Sequence, residues 1–318
     1  MRIITGRDIA ALVDAAALMA PISDAMRSVS RGDAELPLRS MVKLPGANRM
    51  GIMGGWLTDP AGHGVKVLSL FPDNPRHGRS SHAGLYLLFD PETGLARACL
   101  DAAELTAVRT ASATAVVTDV LARPDCSTLA ILGCGEQAHT HLAAMRAVRP
   151  ITRAVAWGRD SAKAAAFAQT HGIEAAATVD ATVDGADIVV TVTPAVEPFL
   201  HARHLQPGQH INAVGASVAT MQELAVDILP RTRLFTDHLP SLEAQAAEVI
   251  AARAEGVIDA DHPVVEIGAV LNGAAGRTNA HEVTLYRSLG IAAQDLAAAH
   301  FILARAEAEG RGVVVDMT

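Results

Sequence analysis

Residues 129–145 read LAILGCGEQAHTHLAAM: an apolar run, a glycine-rich turn and a stretch with helical character. Gly133, Gly135 and Ala138 fit the pattern G-x-G-x-x-G/A, in which the first glycine makes a tight turn after a strand. The second glycine lets the backbone approach a pyrophosphate, and the small third residue lets helix and strand pack closely. The helix N-terminus then offers free N–H groups and a positive dipole end to the phosphates. The stretch predicts a dinucleotide-binding turn.

Strand and helix patterns alternate around that turn. STLAILG, RAVAWG, ADIVVTVT, HINAVGA and RLFTD read as short strands, and EQAHTHLAAMRAV and SAKAAAFAQTHG read as helices. This alternation predicts a parallel sheet covered by helices, which is the context that makes a glycine hexapeptide informative. We therefore predict a Rossmann-type, doubly wound α/β domain.

The flanking segments have a different texture. Residues 7–31 read as helical with a break at Pro21, and residues 36–100 read as a meander of short strands separated by glycine or proline. Long helices are predicted over residues 101–122 and 284–310.

Composition argues against several classes of protein. The chain of 318 residues has a formal charge of −8, few aromatic residues and no basic tract, which disfavours a nucleic-acid partner. No stretch reads as a membrane span, and acidic residues interrupt the N-terminus where a signal peptide needs an apolar core. The three cysteines form neither a metal-like spacing nor an even disulfide set. We expect a cytoplasmic protein without a metal site.

The end of the second predicted strand bears on the choice of dinucleotide. An acidic residue there binds the ribose 2′-hydroxyl of NAD, whereas an arginine accommodates the 2′-phosphate of NADP. The segment reads AVAWGRDSAK, so Gly158 and Arg159 come first and Ser161 lies nearby. Arg159 favours NADP(H), because a guanidinium stacks on adenine and pairs with phosphate. A solvated surface arginine is the alternative, and Asp160 keeps NAD(H) open.

Three cations lie in apolar segments outside the nucleotide motif. Arg39 follows LPL, Lys66 lies in GHGVKVLSLF and Arg109 lies in LTAVRTASATAV. Each cation by itself is more often structural, and for Lys66 an edge strand with its ammonium in water is the favoured explanation. Together they indicate an anion site, and the carboxylate of a small substrate suits it.

Several segments resemble the ornithine cyclodeaminase/mu-crystallin family: in this order LTAVRTASATA, LAILGCGEQAHTH, IVVTVTPAVEP, HINAVGAS and TLYRSLGIAAQDLAAA. KVLSLFPDNP and GLYLLFDPETG are similar to its N-terminal signatures, so the resemblance covers nearly the whole chain. It implies a homodimer in which residues 1–115 and 286–318 form an α+β substrate-binding and dimerisation domain. The Rossmann domain, residues 116–285, is inserted between them.

The resemblance also implies roles for individual residues. Arg39, Lys66 and Arg109 bind the substrate carboxylate near the nicotinamide, and we predict Lys66 and Arg109 as the catalytic pair. Ser81 matches a cofactor-contacting position, with His82 beside it, and Glu136 and Gln137 match pyrophosphate contacts. Thr193, Val214 and Gly215 match residues beside the cofactor, and Ser288 matches one at its nicotinamide end. With Arg109 and Arg159 and the turn residues Gly133, Gly135 and Ala138, they are the predicted cofactor contacts. Glu223 in TMQEL is expected only to cap or pair locally.

One position departs from the lyases of the family. Ornithine cyclodeaminases carry a catalytic aspartate just after the INAVGG-like turn, and this chain has Ser217 there. A serine cannot be the base near neutral pH, so cyclodeamination is disfavoured and Ser217 is assigned to substrate binding. The mu-crystallin-like members, which reduce cyclic ketimines, resemble the VGAS sequence. Bacterial Δ1-pyrroline-2-carboxylate reductases belong to the same side of the family.

The sequence therefore predicts an NAD(P)H-dependent reductase of Δ1-pyrroline-2-carboxylate or Δ1-piperideine-2-carboxylate, with proline or pipecolate as product. Arg39 and Arg109 hold the carboxylate. Lys66 assists by its charge or by a proton, and a proton role requires its pKa to fall toward neutrality. Three other functions stay open: an alanine dehydrogenase-like enzyme that uses pyruvate and ammonia, ornithine cyclodeaminase itself, and a mu-crystallin-like ligand or NADPH-binding protein.

Overall fold

A computed structural model describes residues 1–317 of the chain. The strands, in chain order, are β1 (Arg2–Ile4), β2 (Ala34–Glu35), β3 (Ser40–Lys43), β4 (Arg49–Leu57), β5 (Gly62–Leu70), β6 (His82–Phe89), β7 (Ala96–Asp101), β8 (Thr128–Leu132), β9 (Arg153–Trp157), β10 (Glu174–Ala175), β11 (Ile188–Thr191), β12 (His210–Ala213), β13 (Arg233–Thr236), β14 (Val264–Glu266), β15 (Thr284–Arg287) and β16 (Val313–Val314). The α-helices are α1 (Gly6–Leu12), α2 (Met19–Arg31), α3 (Ala102–Leu121), α4 (Glu136–Val148), α5 (Ser161–His171), α6 (Val179–Val183), α7 (Leu239–Gln245), α8 (Ala247–Ala254), α9 (Ile267–Leu271) and α10 (Ala292–Ala308).

The chain divides into two compact units. The first unit combines residues 1–113 with 291–318, and the second, which we call the inserted unit, is residues 114–290. The sequence placed the second boundary five residues earlier, after residue 285. The boundary lies later in the structure because the chain stays tied to the inserted unit up to Gly290, whose N–H donates to Asp237 Oδ2 at 2.8 Å.

The first unit is built on a mostly antiparallel sheet. Its strand order is β16-β1-β7-β6-β5-β4-β2, with β3 also paired to β4. Among the described strand pairs of this sheet, only β1–β7 is parallel. The strands from β3 to β7 follow each other as the meander that the sequence predicted. Helix α10 packs on β4, β5 and β6, and α2 packs against α10. The C-terminal helix therefore covers one face of the sheet.

The inserted unit contains a wholly parallel sheet with strand order β10-β9-β8-β11-β12-β15-β13-β14. The chain winds outward from β8 in one direction to β10, and then returns to the other side of β8 at β11. This reversal is the topological switch point of a doubly wound sheet, outside which ligands bind. The Rossmann-type fold is thus confirmed, and its core is formed by apolar residues of the central strands, including Val189, Ile211 and Leu285.

Two helix predictions need correction. Residues 284–287 form strand β15 instead of the start of a long helix, and α10 begins only at Ala292. The strand is fully buried between β12 and β13, and Gly290 adopts a φ of 70° that ends the extended segment. Near the N-terminus, Pro21 does not break a helix, because it lies in the first turn of α2, where its missing N–H has no intrahelical partner to lose. The helix predicted over residues 101–122 is confirmed as α3.

Candidate active site

Lys66 lies in the middle of β5, which has a hydrogen-bonded strand on each side. Its register partners are Met53 of β4 and Tyr86 of β6. The residue is only 1% exposed, so the explanation as an edge-strand lysine with its ammonium in water is wrong. Gly62 shares the same face of β5, and a Cβ there would collide with the His300 ring of α10. The alternation in GHGVK thus places Lys66 on the face that α10 covers.

One buried carboxylate joins two of the predicted cations. Lys66 Nζ donates to Asp295 Oδ1 at 2.9 Å, lies 2.8 Å from Oδ2 and donates to Thr106 Oγ1 at 3.3 Å. Arg109 Nε donates to Asp295 Oδ1 at 2.9 Å. Asp295 is 0% exposed. The structure therefore brings Lys66 and Arg109 together around a carboxylate that the sequence did not single out.

The charges in this cluster shift the pKa values of its members. Burial, the largest cause, lowers the pKa of Lys66 from 10.5 to about 8. The charges of Arg109 and Arg39 act in the same direction, and Asp295 opposes them. Burial also acts to raise the pKa of Asp295, but the cations Lys66 and Arg109 outweigh it and hold that pKa below its ordinary value. The pKa of Lys66 thus moves in the direction that a proton role requires.

Gln294 precedes Asp295 on α10 and belongs to the same cluster. Arg109 Nη1 donates to Gln294 Oε1 at 2.9 Å, and since arginine only donates, the amide oxygen must face it. The amide Nε2 is buried and has no hydrogen-bond partner among residues 1–317. A buried donor left unpaired costs about 1–3 kcal/mol, so this amide is a candidate ligand contact. The signal that could have found both residues is a polar pair inside the apolar stretch IAAQDLAAA.

The glycine turn of the inserted unit has the geometry that a dinucleotide needs. Gly133 has a φ of 123°, and a Cβ there would lie 2.7 Å from Val192 O. Gly135 is the N-cap of α4, and a Cβ there would meet no atom within 4 Å, so its backbone borders open space. Ala138 is fully buried, as close helix–strand packing demands. Gln137 Oε1 is buried without a partner among the described residues. The backbone geometry of Gly133 and Gly135 fits a bound pyrophosphate at the turn, whereas the Gln137 oxygen, an acceptor, does not contribute to that fit.

Four predicted cofactor positions meet at the carboxyl edge of the parallel sheet. Thr193 follows β11, Val214 and Gly215 follow β12, and Ser288 follows β15. Because parallel neighbours end at the same edge, these residues come together there. The Ser288 N–H donates to the last carbonyl of β12 at 2.9 Å, which fixes the two segments to each other. Ser217 lies two residues beyond Gly215 and is partly buried.

The remaining predicted residues lie elsewhere. Arg159 is exposed at the end of β9. Asp160 is the N-cap of α5, where its carboxylate accepts hydrogen bonds from two backbone N–H groups. Ser81 and His82 belong to the first unit, at the start of β6, where Ser81 Oγ lies 2.8 Å from His82 Nδ1. Glu136 begins α4 and is exposed.

The expectation for Glu223 is wrong. Its buried carboxylate accepts hydrogen bonds from Thr193, thirty positions away in the chain, as well as from residues of the turn after β12. Glu223 therefore connects distant segments of the inserted unit instead of capping or pairing within the TMQEL segment.

Over residues 1–317, no three or more histidine, cysteine, aspartate or glutamate side chains are grouped to hold a metal ion. Over the same residues, no helix has the length and apolarity needed to cross a membrane.

Comparison with known proteins relates the whole chain to one group. The family model described as ornithine cyclodeaminase/mu-crystallin family matches residues 2–310. The mouse ketimine reductase mu-crystallin is 30% identical, over 90% of this chain and 90% of its own length.

Two solved structures extend the likeness to the fold. The Δ1-pyrroline-2-carboxylate reductase of Thermococcus litoralis, in complex with NADH and L-proline, has a TM-score of 0.94 at 30% identity, over 99% of this chain and 100% of that one. An archaeal alanine dehydrogenase dimer with bound NAD has a TM-score of 0.91 at 29% identity, over 100% and 99% of the two chains. The related structures hold nicotinamide cofactors, and the named reductases act on C=N bonds.

Proposed function

This chain belongs to the ornithine cyclodeaminase/mu-crystallin family, and on that premise we propose that it is an NAD(P)H-dependent reductase of small cyclic imino acids. Δ1-Pyrroline-2-carboxylate and Δ1-piperideine-2-carboxylate are the proposed substrates, and proline and pipecolate the products. The observation that carries the proposal is the buried cluster of Lys66, Arg109 and Asp295 in a relative of C=N reductases.

The charge of the cluster favours an acidic substrate. Asp295 balances one of the two cations that it touches, and Arg39 lies near enough for its charge to lower the pKa of Lys66. The excess positive charge in a buried setting attracts a carboxylate, and Arg109 offers the planar geometry that carboxylates prefer. Gln294 adds a buried N–H donor without a partner among residues 1–317.

The proposed mechanism divides two tasks among these residues. Arg39 and Arg109 hold the carboxylate and so orient the adjacent C=N bond. When bound, a reduced nicotinamide supplies the hydride that the imine carbon accepts. Lys66 Nζ passes a proton to the imine nitrogen, so that C=N becomes CH–NH, and then takes a proton from solvent. A lysine with a pKa of about 8 can give and regain a proton near neutral pH. Gly133, Gly135 and the α4 N-terminus are the groups that would hold the pyrophosphate.

A Lys66→Met variant tests the proton role. We expect kcat for Δ1-pyrroline-2-carboxylate reduction to fall by about 10²–10⁴-fold, the usual contribution of a positioned acid. Lys43→Met is the matched control, because Lys43 is an exposed lysine of the same sheet. An unchanged kcat with a raised KM would leave Lys66 only an electrostatic contact to the carboxylate.

The site lacks the acid that a cyclodeaminase needs. Ser217 stands at the aspartate position, and the buried carboxylate of Glu223, from the same region, already accepts five hydrogen bonds. We therefore expect no formation of proline and ammonia from ornithine. Product analysis by chromatography with catalytic cofactor checks this, and proline formation without net cofactor oxidation would restore the lyase.

Two further functions are separated by the same assay panel. The archaeal alanine dehydrogenase is similar over the whole chain, so pyruvate with ammonia is the second substrate to test. If reduction requires free ammonia, the chain is an amino-acid dehydrogenase. If it binds NADPH tightly and turns over none of these substrates, it is a binding protein.

We propose NADP(H) as the preferred cofactor and NAD(H) as the second. Arg159 is exposed where a 2′-phosphate would need a partner, and the carboxylate of Asp160 is already engaged as the N-cap of α5. The related structures with NADH and NAD make the opposite preference the alternative. Arg159→Ala is expected to raise the KM for NADPH and leave that for NADH unchanged. An unchanged KM for both cofactors would assign Arg159 to solvent, and an equal rise for both would assign it to a part of the dinucleotide that the two share.

We propose a homodimer formed through the uncovered face of the first unit's sheet. Val42, Trp56 and Leu85 are 41%, 44% and 53% exposed on the face opposite Lys66. A second copy is the proposed occupant, because the related alanine dehydrogenase is a dimer. Light scattering of Leu85→Asp is expected to show monomers, while Leu95→Asp, at an exposed position outside this face, stays dimeric.

We also propose a cytoplasmic location, with which the free thiols of Cys99, Cys126 and Cys134 are consistent.

A further inference from the structure

The carboxylate of Glu223 gathers five hydrogen-bond donors although it is 1% exposed. Oε1 accepts from Thr193 N at 2.6 Å and from Thr193 Oγ1 at 2.8 Å. Oε2 accepts from Thr191 Oγ1 at 2.8 Å, Gly215 N at 2.8 Å and Ala216 N at 3.2 Å. Three of the donors are backbone N–H groups, which form the kind of concavity that ordinarily binds an anion. Here the protein supplies the anion itself.

The donors come from two separate segments. One is the end of β11 with the residues after it, and the other follows β12. These two strands are neighbours on the far side of the switch point from β9 and β10. In a doubly wound sheet the pyrophosphate binds at the turn after the first strand, here β8. The adenosine then lies toward β9 and the nicotinamide toward β11 and β12. Glu223 therefore ties together the two loops on the nicotinamide side.

The contact is close-fitting and is itself anchored. A Cβ on Gly215 would collide with the backbone of Thr193 and lie 2.6 Å from Glu223 Oε1, so only glycine fits there. The backbone of Glu223 is held from the other side, because its carbonyl accepts from the N–H groups of Phe199 and Leu200 at 3.0 and 3.1 Å. A fixed carboxylate thus holds both loops in one arrangement.

Burial raises the pKa of Glu223, while the bonds from Thr193 and Thr191 and the charge of Arg287 act to lower it. Arg287 cannot serve as its direct partner, because it pairs with the buried Glu248 and donates to Ala216 O. The charge of Glu223 is therefore met mainly by oriented N–H and O–H dipoles, which is the arrangement of a structural anion.

We propose that Glu223 is a positioning residue for the nicotinamide half of the dinucleotide: its carboxylate fixes the loops after β11 and β12 without touching the cofactor. The proposal rests on the cofactor use proposed above and is independent of the substrate. It predicts that loss of the carboxylate weakens binding of the whole coenzyme and spares the half that contains adenosine.

Glu223→Gln is the sharpest variant, because it keeps the shape and replaces one acceptor oxygen by an amide that faces a donor. Calorimetric titration of NADH is expected to show affinity lowered by about tenfold or more, the effect of losing one to two well-formed charged hydrogen bonds. ADP-ribose, which lacks the nicotinamide, is expected to bind within about twofold of the unaltered protein. Glu223→Asp provides a second variant, which keeps the charge and cannot reach both loops.

Glu282→Gln is the matched control. Its carboxylate accepts from Thr278 N at 2.8 Å and Thr278 Oγ1 at 3.0 Å, just before β15 at the opposite edge of the same sheet. It should change neither affinity. If Glu223→Gln binds both ligands normally, or loses both equally, the positioning role is wrong. If the unaltered protein binds neither NADH nor NADPH, the proposed function fails instead.

Discussion

Asp295 of the first unit and Glu223 of the inserted unit are both fully buried carboxylates, yet they are held in opposite ways. Asp295 contacts two cationic side chains, Lys66 and Arg109, which hold its pKa below the ordinary value. Glu223 contacts backbone N–H groups and threonine hydroxyls, and burial raises its pKa. Cationic partners leave a cluster with excess positive charge, which is the proposed site for the substrate carboxylate. The backbone and hydroxyl donors around Glu223 fix the loops to which they belong, and they add no positive side-chain charge.

The largest effect should follow from Asp295→Asn. The substitution leaves Lys66 and Arg109 buried without a counter-ion, so the free energy of unfolding should fall by about 3–5 kcal/mol. Chemical denaturation followed by circular dichroism measures it. Asp119→Asn is the control, because its partner Arg149 also donates to several backbone carbonyls and loses little. If Asp295→Asn is as stable as the unaltered protein, Asp295 is not needed as the counter-ion of Lys66 and Arg109, and the contrast with Glu223 is wrong.

A double-mutant cycle sharpens the comparison. Lys66→Met removes one of the cations that Asp295→Asn would leave unpaired, so the two changes should couple by about 1–3 kcal/mol. Thr191→Val with Glu223→Gln should couple by less than about 1 kcal/mol, since four of the five donors remain. Equal coupling energies would mean that the two carboxylates are held alike.

The pH dependence of catalysis tests the charge of the first cluster. Because the pKa of Lys66 is lowered to about 8, a step that needs its ammonium should lose about tenfold in kcat/KM per pH unit above that value. Asp295 acts to raise this pKa, so Asp295→Asn should move the decline to lower pH. Glu223→Gln should leave the position of the decline unchanged. A profile that is flat through this range would exclude the proton role of Lys66.

A third buried titratable group, His210, is held by uncharged side chains alone among the described residues. Over residues 1–317, the partners of the His210 ring are Thr284 Oγ1 and Asn212 Oδ1, and burial lowers its pKa from 6.5 to about 3. Between pH 6.5 and about 3, the His210 ring is therefore protonated in the unfolded chain and neutral in the folded chain. Stability should fall on acidification through this window by up to about 1.4 kcal/mol per pH unit. Denaturation of His210→Gln should lack this component, and His281→Gln, at an exposed position, should keep it.

The sequence predicted those elements whose signal lies within a short stretch of the chain. The turn at Gly133 and Gly135 follows from its glycines and the flanking strand, and the Rossmann unit follows from alternating elements. The prediction of an edge strand for Lys66 is wrong because β5 pairs with a strand on each side. That pairing depends on the order of strands in the sheet, which the residues of β5 do not reveal. Asp295 was missed because it lies 229 residues from Lys66, and only the return of α10 brings them together.

The helix predicted over residues 284–310 begins too early, because a strand and a helix of similar composition lie next to each other there. The run TLYRSLGIAAQDLAAA joins a buried strand to a helix, and its alanines make the whole run look helical. Gly290 marks the junction, but a single glycine is a weak signal. Glu223 looked local because TMQEL contains nothing unusual, and its importance lies entirely in the distant donors that surround it.

The late position of α10 also bears on how the protein is made. A ribosome completes Lys66 and Arg109 long before Asp295, with the whole inserted unit synthesised in between. The inserted unit is continuous in the chain and can fold as it emerges. The first unit has to wait for the last turns of the polypeptide to supply its neutralising charge. A chain that ends before α10 would therefore contain the whole inserted unit and a first unit in which Lys66 and Arg109 lack their counter-ion.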